Sequence, residues 1–221
     1  MIKVENIETW GFEHAIRGMR NPLNSWDRSD TIFELVLRHD KEHAHVEACI
    51  GKNDINLMKK LYKAGTEHRK YLRQIFVSMD ITAPLYWWKE FDTYKIGTVA
   101  NSCSTMHKIH SKEFDINDFS HDTIEELEGE EYNRAWENWI NTINELNYFR
   151  DKFNETKNKL YWRQMIEKLP SSYNQKRTVT MNYENVVSMI NQREHHKLDE
   201  WVDFTHTLRT LPYIGELLEN D

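Results

Sequence analysis

The sequence predicts an α+β fold, an antiparallel sheet packed with a helix-rich second half, on three observations. Apolar residues recur at helical spacing after residue 120. The apolar runs before it are short and lie between turn residues. No repeat, low-complexity tract or linker divides the chain. With 221 residues and 39% hydrophobic side chains, one domain over residues 1–221 is expected. Eight Trp, ten Tyr and nine Phe supply the large apolar side chains that disordered segments lack.

In chain order, residues 2–4 read as an initial strand and Asn21-Pro22 as a turn. Residues 31–37 (TIFELVL) fit a strand or a short helix, and the rough alternation of 43–50 fits a strand. Ile55, Met58, Leu61 and Tyr62 fall at helical spacing, with Asn53 or Asp54 as N-cap and Gly65 as the stop. Residues 72–81 read as a mostly buried strand that runs into an Ala83-Pro84 break. Ser120 or Asp122 caps an acidic helix start. The stripe Tyr132, Trp136, Trp139, Ile140, Ile143 follows, continued by Phe149, Phe153 and Leu160 towards Met165 and Ile166. Leu169-Pro170 ends this hairpin, and two further helices are expected over 183–195 and 198–210, the last stopped by Pro212.

Composition excludes several classes of function. A net charge of −7 argues against a broad nucleic-acid footprint, which needs a clustered basic face. Two cysteines, Cys49 and Cys103, make neither a disulfide framework nor a CxxC knuckle. No apolar run approaches the roughly 18 residues that span a bilayer, and the N-terminus lacks a signal-peptide core. A cytoplasmic protein without membrane partners is expected.

Four features carry potential chemistry. His39 and His43 have the spacing of a helical ligand pair, whereas His43 and His45 share one face of a strand, and both geometries cannot hold. Asp40, Glu42 and Glu47 flank them as ordinary surface charges, so the segment reads as exposed and polar, and no metal is expected. His195-His196 suits a helix C-terminus electrostatically. Cys103 sits among small residues with only His107 near in sequence, which fits packing better than nucleophilic catalysis. Arg193 continues the apolar stripe of Val186, Met189 and Ile190, so it needs either an anion or exposed carbonyls. A phosphate or carboxylate clamp and a helix-terminal charge fit equally well.

Two blocks resemble a known family. The first runs from LYKAGTEH at residue 61 through APLYWWKEF into the GTVANSCS loop. The second is LPSSYNQKRTVTMNYENVVSMINQREHHKLDEW, residues 169–201. Together they are similar to the flavin-dependent thymidylate synthases, which methylate dUMP with FAD, NADPH and methylenetetrahydrofolate. Leu169-Pro170, Thr180, Asn182 and Arg193 stand at the family's mutual spacings. The resemblance implies that Arg193 contacts the pyrimidine nucleotide, that Asn182 contacts the flavin, and that the chain forms a homo-oligomer, a tetramer.

The signature between Ala83 and Lys108 departs from the family pattern. Lys89-Glu90 stand at the Arg-Gln position, so Glu90 replaces the nucleobase-reading Gln. Thr93-Tyr94-Lys95 stand at Arg-His-Arg, which faces the flavin phosphates. Seven residues on comes Cys103, or Ser104 with a one-residue shift, at the substrate-binding Ser, and the Arg that should follow is absent. Glu184 reverses the charge of another family Arg, and Ile166 replaces the Arg that precedes Leu-Pro. Charge-assisted bonds contribute about 1.5–3 kcal/mol each, and Lys95 keeps one charge without the bidentate fork. Lys89, Lys95, Lys108, Arg177 and Arg193 are the remaining candidate cations.

Three readings stay open, and no catalytic residue is assigned. The first is a divergent enzyme that converts dUMP to dTMP with FAD as cofactor, NADPH and methylenetetrahydrofolate entering only with that reaction. The second is a non-catalytic descendant that binds a nucleotide or a protein. The third is a His-rich metal-binding module.

Overall fold

The computed structural model describes residues 2–37 and 44–219, and the element order mixes strands and helices as the sequence predicts. Strand β1 (Lys3–Trp10) leads into helix α1 (Phe12–Arg20), and β2 (Ile32–Leu37) pairs antiparallel with β3 (Ala44–Cys49). Helix α2 (Lys52–Lys63), strand β4 (Phe76–Pro84), helix α3 (Leu85–Phe91), strand β5 (Thr98–Ser102) and the single turn α4 (Thr105–Lys108) follow. The remainder is α5 (Gly129–Thr156), α6 (Lys159–Lys168), strand β6 (Asn174–Asn182), α7 (Tyr183–Arg193), α8 (Asp199–Arg209) and α9 (Ile214–Leu218). Strand order is β1-β4-β6-β5 in a four-stranded sheet, and β2-β3 form a separate ribbon.

Two compact units divide these elements. One comprises Met1–Val4, Asp80–Thr93 and Ala100–Thr178; the other comprises Glu5–Met79, Tyr94–Val99 and Val179–Asp221. In the first, α5 and α6 form a helical hairpin. Leu146 and Met165 pack with Ile109, Phe114 and Phe119, bordered by Trp139, Ile143, Phe149 and Phe153. The expected stripe is largely real, but Ile140 (55% exposed) and Leu160 (68%) lie outside it. Asn158 caps α6 by accepting from Leu160 N at 3.0 Å. Trp87, Trp88 and Phe91 of α3 are fully buried, with mutual ring separations of 4.9–5.2 Å.

In the second unit, α1 buries Phe12, Ala15, Ile16 and Met19, the spacing of one helix face. Leu72, Ile75, Val77, Met79, Val179 and Met181 are fully buried, as are Val186, Met189 and Ile190 of α7. Gly11 has φ +93°, and a Cβ there would lie 2.1 Å from the Gln74 carbonyl oxygen. Only glycine fits that turn.

Several boundaries differ from the sequence reading. Residues 70–74 form a 3-10 turn before β4, and β4 continues to Pro84 instead of breaking at Ala83-Pro84. The Gly97–Ser104 loop contains strand β5. The acidic stretch at 122–126 is a separate 3-10 turn, and α5 starts at Gly129. Gly51, not Asn53 or Asp54, is the N-cap position of α2. The capping acceptor is the Asp30 carboxylate, which receives Asn53 N at 2.9 Å and Asp54 N at 3.1 Å.

Candidate functional site

The sequence-singled residues fall into two local settings, one in each unit. In the first unit, α3 ends at Phe91, and Glu90 and Thr93 shape that end. The Glu90 carbonyl accepts from Thr93 N at 3.1 Å and from Thr93 Oγ1 at 2.7 Å. The Thr93 hydroxyl therefore closes its own helix terminus. Arg177, on β6, lies 4.1 Å over the Trp88 ring. It donates from Nη1 to Asp92 at 2.7 Å and from Nε to Gln175 Oε1 at 2.9 Å. Trp88 Nε1 donates to the Gln175 carbonyl at 3.0 Å. Arg177 is thus held by its neighbours on the sheet and helix.

Cys103 and Ser104 stand where β5 gives way to α4. Cys103 N donates to the Lys176 carbonyl at 2.9 Å, and its own carbonyl accepts Gln175 Nε2 at 2.8 Å. Ser104 Oγ accepts Met106 N at 3.2 Å and His107 N at 3.1 Å, so it is the N-cap of α4. Both residues line a cavity of about 300 Å3. The wall also includes Lys108, Lys112, Glu113, Asp118, Tyr173, Asn174 and Lys176.

The charges around this cavity are unevenly committed. Lys112 donates to Asp118 at 2.9 Å and to Asp115 at 3.3 Å, and these bonds raise its pKa above the ordinary lysine value. Lys176 pairs with Asp80 at 3.2 Å. Lys108 is exposed and, among the described residues, forms no ion pair. The Asn174 Oδ1 is fully buried and, among the described residues, has no hydrogen-bond donor. Burial pushes the Tyr173 hydroxyl pKa up, and the Asp118 charge adds to it, so the phenol stays a donor. The cavity therefore offers a cation and a phenolic donor.

In the second unit, Arg193 at the end of α7 lies 4.8 Å over the Trp201 ring of α8 and 5.8 Å over Tyr94. Its Nε donates to Tyr94 Oη at 3.1 Å, and Tyr94 Oη donates to Gln192 Oε1 at 3.0 Å. The two aromatic residues place Arg193 in a packed setting. Lys95 is exposed. Asn182 caps α7 by accepting Asn185 N at 3.1 Å, and its Nδ2 would lie 2.5 Å from a Cβ at Gly97, which has φ +74°. Glu184 is matched by an Arg on the facing element: Arg69 Nε and Nη2 approach its Oε1 at 3.0 and 2.9 Å. The reversed charge at 184 thus has a partner at 69.

The same unit contains a charge network that the sequence reading missed. Arg20 Nε donates to Asp54 Oδ1 at 2.6 Å, with the Arg20 side chain 5% exposed and that of Asp54 0%. Asp54 Oδ2 also receives Ser29 Oγ, Asp30 N and Thr31 Oγ1. Burial pushes the Asp54 carboxyl pKa up. The bonds from Thr31, Ser29 and Arg20, with the Arg20 charge, outweigh it and hold the group below the carboxylate range. The sequence offered Asp54 only as a possible N-cap, and the tertiary partner 34 residues away explains a buried acid there.

Among the described residues, no group of three or more His, Cys, Asp and Glu side chains could hold a metal ion. His39 and His43 lie outside the described residues, and of His45 only the backbone is described. No helix among the described residues is long and apolar enough to cross a membrane.

The fold, an antiparallel sheet with a helix-rich second half, is that of the flavin-dependent thymidylate synthases. One solved structure, flavin-dependent thymidylate synthase ThyX from Helicobacter pylori complexed with FAD and dUMP, matches with a TM-score of 0.66 and 16% identity. The match covers 98% of each chain. A second structure of thymidylate synthase X from the same organism, also with FAD and dUMP, matches with a TM-score of 0.66 and 14% identity, over 99% of this chain and 100% of that one. No protein-family model and no curated protein matches the sequence. At this identity the likeness establishes the fold and not the chemistry.

Proposed function

We propose that this chain is a flavin-dependent thymidylate synthase-like protein that binds a pyrimidine nucleoside monophosphate and does not carry out the dUMP methylation of that fold. The observation that carries the reading is the cavity beside Cys103 and Ser104, which combines the uncommitted Lys108 ammonium with the Tyr173 phenol. A phosphate monoester suits the first, and a carbonyl oxygen of a uracil-type base suits the second. A volume of about 300 Å3 lies at the small end of ligand pockets.

The residues at the family's flavin and nucleotide positions favour loss of the inherited reaction. In the segment 93–95, the Thr93 hydroxyl is spent on Glu90 and the Tyr94 hydroxyl on Gln192 and Arg193, which leaves Lys95 as one exposed cation. Arg193, the position the resemblance assigns to the nucleotide, is packed on Trp201 and Tyr94. Asn182 is a helix cap. One exposed lysine does not make the cradle that a diphosphate cofactor needs, so these residues do not fit FAD, and NADPH and methylenetetrahydrofolate have no role in this reading. A cytoplasmic homotetramer, implied by the resemblance, belongs to the same reading.

The test is the visible absorbance of the purified protein before and after addition of FAD, with product analysis for dTMP. The expected result is a colourless protein that retains no flavin and forms no dTMP. Stoichiometric flavin bands with dTMP formation would restore the enzymatic reading.

A further inference from the structure

The turn that follows α4 sets two lysines on the cavity wall. Ser111 N donates to the Lys108 carbonyl at 3.0 Å, and Ser111 Oγ donates to the same oxygen at 2.6 Å. Lys108 and Lys112 stand at either end of this closed turn, and both line the cavity. Lys112, however, is held from the side. It donates to Asp118 at 2.9 Å and to Asp115 at 3.3 Å. The two acids are themselves anchored. Asp118 Oδ2 accepts Asp115 N at 3.0 Å and Asp115 Oδ1 accepts Asn117 N at 2.8 Å, within a capping box. Neither carboxylate follows the lysine into the cavity without breaking that turn.

We infer that Asp118, by holding Lys112 away from the ligand, limits this cavity to a single phosphate. The inference rests on the nucleotide reading proposed above and names the residue that sets its selectivity. Three lysines stand in the described wall. Lys112 is held by Asp118 and Asp115, and Lys176 by Asp80 at 3.2 Å, which leaves Lys108 for the ligand. Glu113 and Asp118 add two carboxylates to the same wall.

A phosphate monoester carries a charge of about −1.5 to −2 at neutral pH, and one ammonium with a phenolic donor can hold it. A second phosphate brings at least about one more negative charge. No other uncommitted lysine stands among the described wall residues to receive it, and Glu113 and Asp118 repel it. The reach of the Asp118 charge is visible at Tyr173, where burial pushes the phenol pKa up and Asp118 adds to it. The small volume, about 300 Å3, points the same way. The Lys112 side chain is 68% exposed and that of Asp118 21%. A pair so open to solvent adds little to stability. Its effect is on where the ammonium is kept.

Calorimetric titration of dUMP and of dUDP into the full chain without flavin tests the assignment, at ~50 mM salt so that surface charges are only partly screened. The wild type is expected to bind dUMP ~10-fold or more tightly than dUDP. Asp118→Asn removes the charge but keeps an acceptor for Asp115 N, and circular dichroism checks that the variant is folded. It is expected to narrow the preference for dUMP ~5-fold or more, because Lys112 is released and one repelling carboxylate is gone. Adding Lys112→Gln to Asp118→Asn is expected to restore most of the preference. A preference unchanged in Asp118→Asn, or still as narrow in the double variant, would overturn the inference and leave the nucleotide reading standing. Equal binding of the two ligands by the wild type would do the same. A wild type that binds neither ligand would overturn the nucleotide reading and this inference with it.

Discussion

Arg193 shows how one residue changes its meaning between sequence and structure. On the stripe with Val186 and Ile190, a guanidinium must find a partner, and the residues in reach include the Trp201 ring at 4.8 Å and the Tyr94 ring and hydroxyl. A partly desolvated cation–π pair contributes about 1–2 kcal/mol. Arg193→Ala is therefore expected to lower unfolding free energy by about that amount in urea denaturation, while leaving nucleotide titration unchanged. Loss of nucleotide binding at unchanged stability would return Arg193 to the binding site. The need for a partner at 193 was legible from helical spacing. The aromatic pair was not, because Tyr94 and Trp201 lie 99 and 8 residues away along the chain. Asn174 was equally silent, since an orphaned acceptor is defined by its surroundings and not by its residue type.

At the scale of elements, periodicity was readable where one face packs on a core. α2, α5, α6, α7 and α8 all appear near their expected positions. β6 was missed because its sequence, NQKRTVTMN, reads as polar, although Gln175, Val179 and Met181 are buried and Arg177 lies on Trp88. Stems of long polar side chains cover apolar surface there, which hides the alternation. α1 was missed although Phe12, Ala15, Ile16 and Met19 have helical spacing, because charged residues and Gly18 interrupt it.

The root of the β2–β3 ribbon is the element-scale feature with the largest expected energetic effect. Asp54→Ala leaves Arg20 buried without its carboxylate, a loss expected to reach about 3–5 kcal/mol at neutral pH. The folded carboxyl lies below its ordinary value of 3.8, so its contribution is fully present above that value and is lost as pH falls through the folded one. The stability gap between wild type and Asp54→Ala in denaturant titrations is expected to be widest near pH 7 and to shrink as pH falls below 4. A gap that is constant or grows in acid would show that Asp54 is not held as the anion.

At the scale of the whole molecule, fold and chemistry separate. The chain follows the Helicobacter pylori ThyX structures over 98% or more of its length at 14–16% identity. Several of its charges form internal pairs: Arg69 with Glu184, Arg177 with Asp92, and Arg20 with Asp54. Apolar positions tolerate exchange while volume and pattern persist, whereas cofactor binding depends on particular donors at particular points. A shared fold therefore does not by itself carry a shared site. The most direct measurement is calorimetric titration of dUMP into flavin-free protein, for the wild type and for Lys108→Ala. The expected result is saturable one-to-one binding without flavin, weakened ~10-fold or more when the Lys108 charge is removed. Binding that requires added FAD, or that is indifferent to Lys108, would contradict the account.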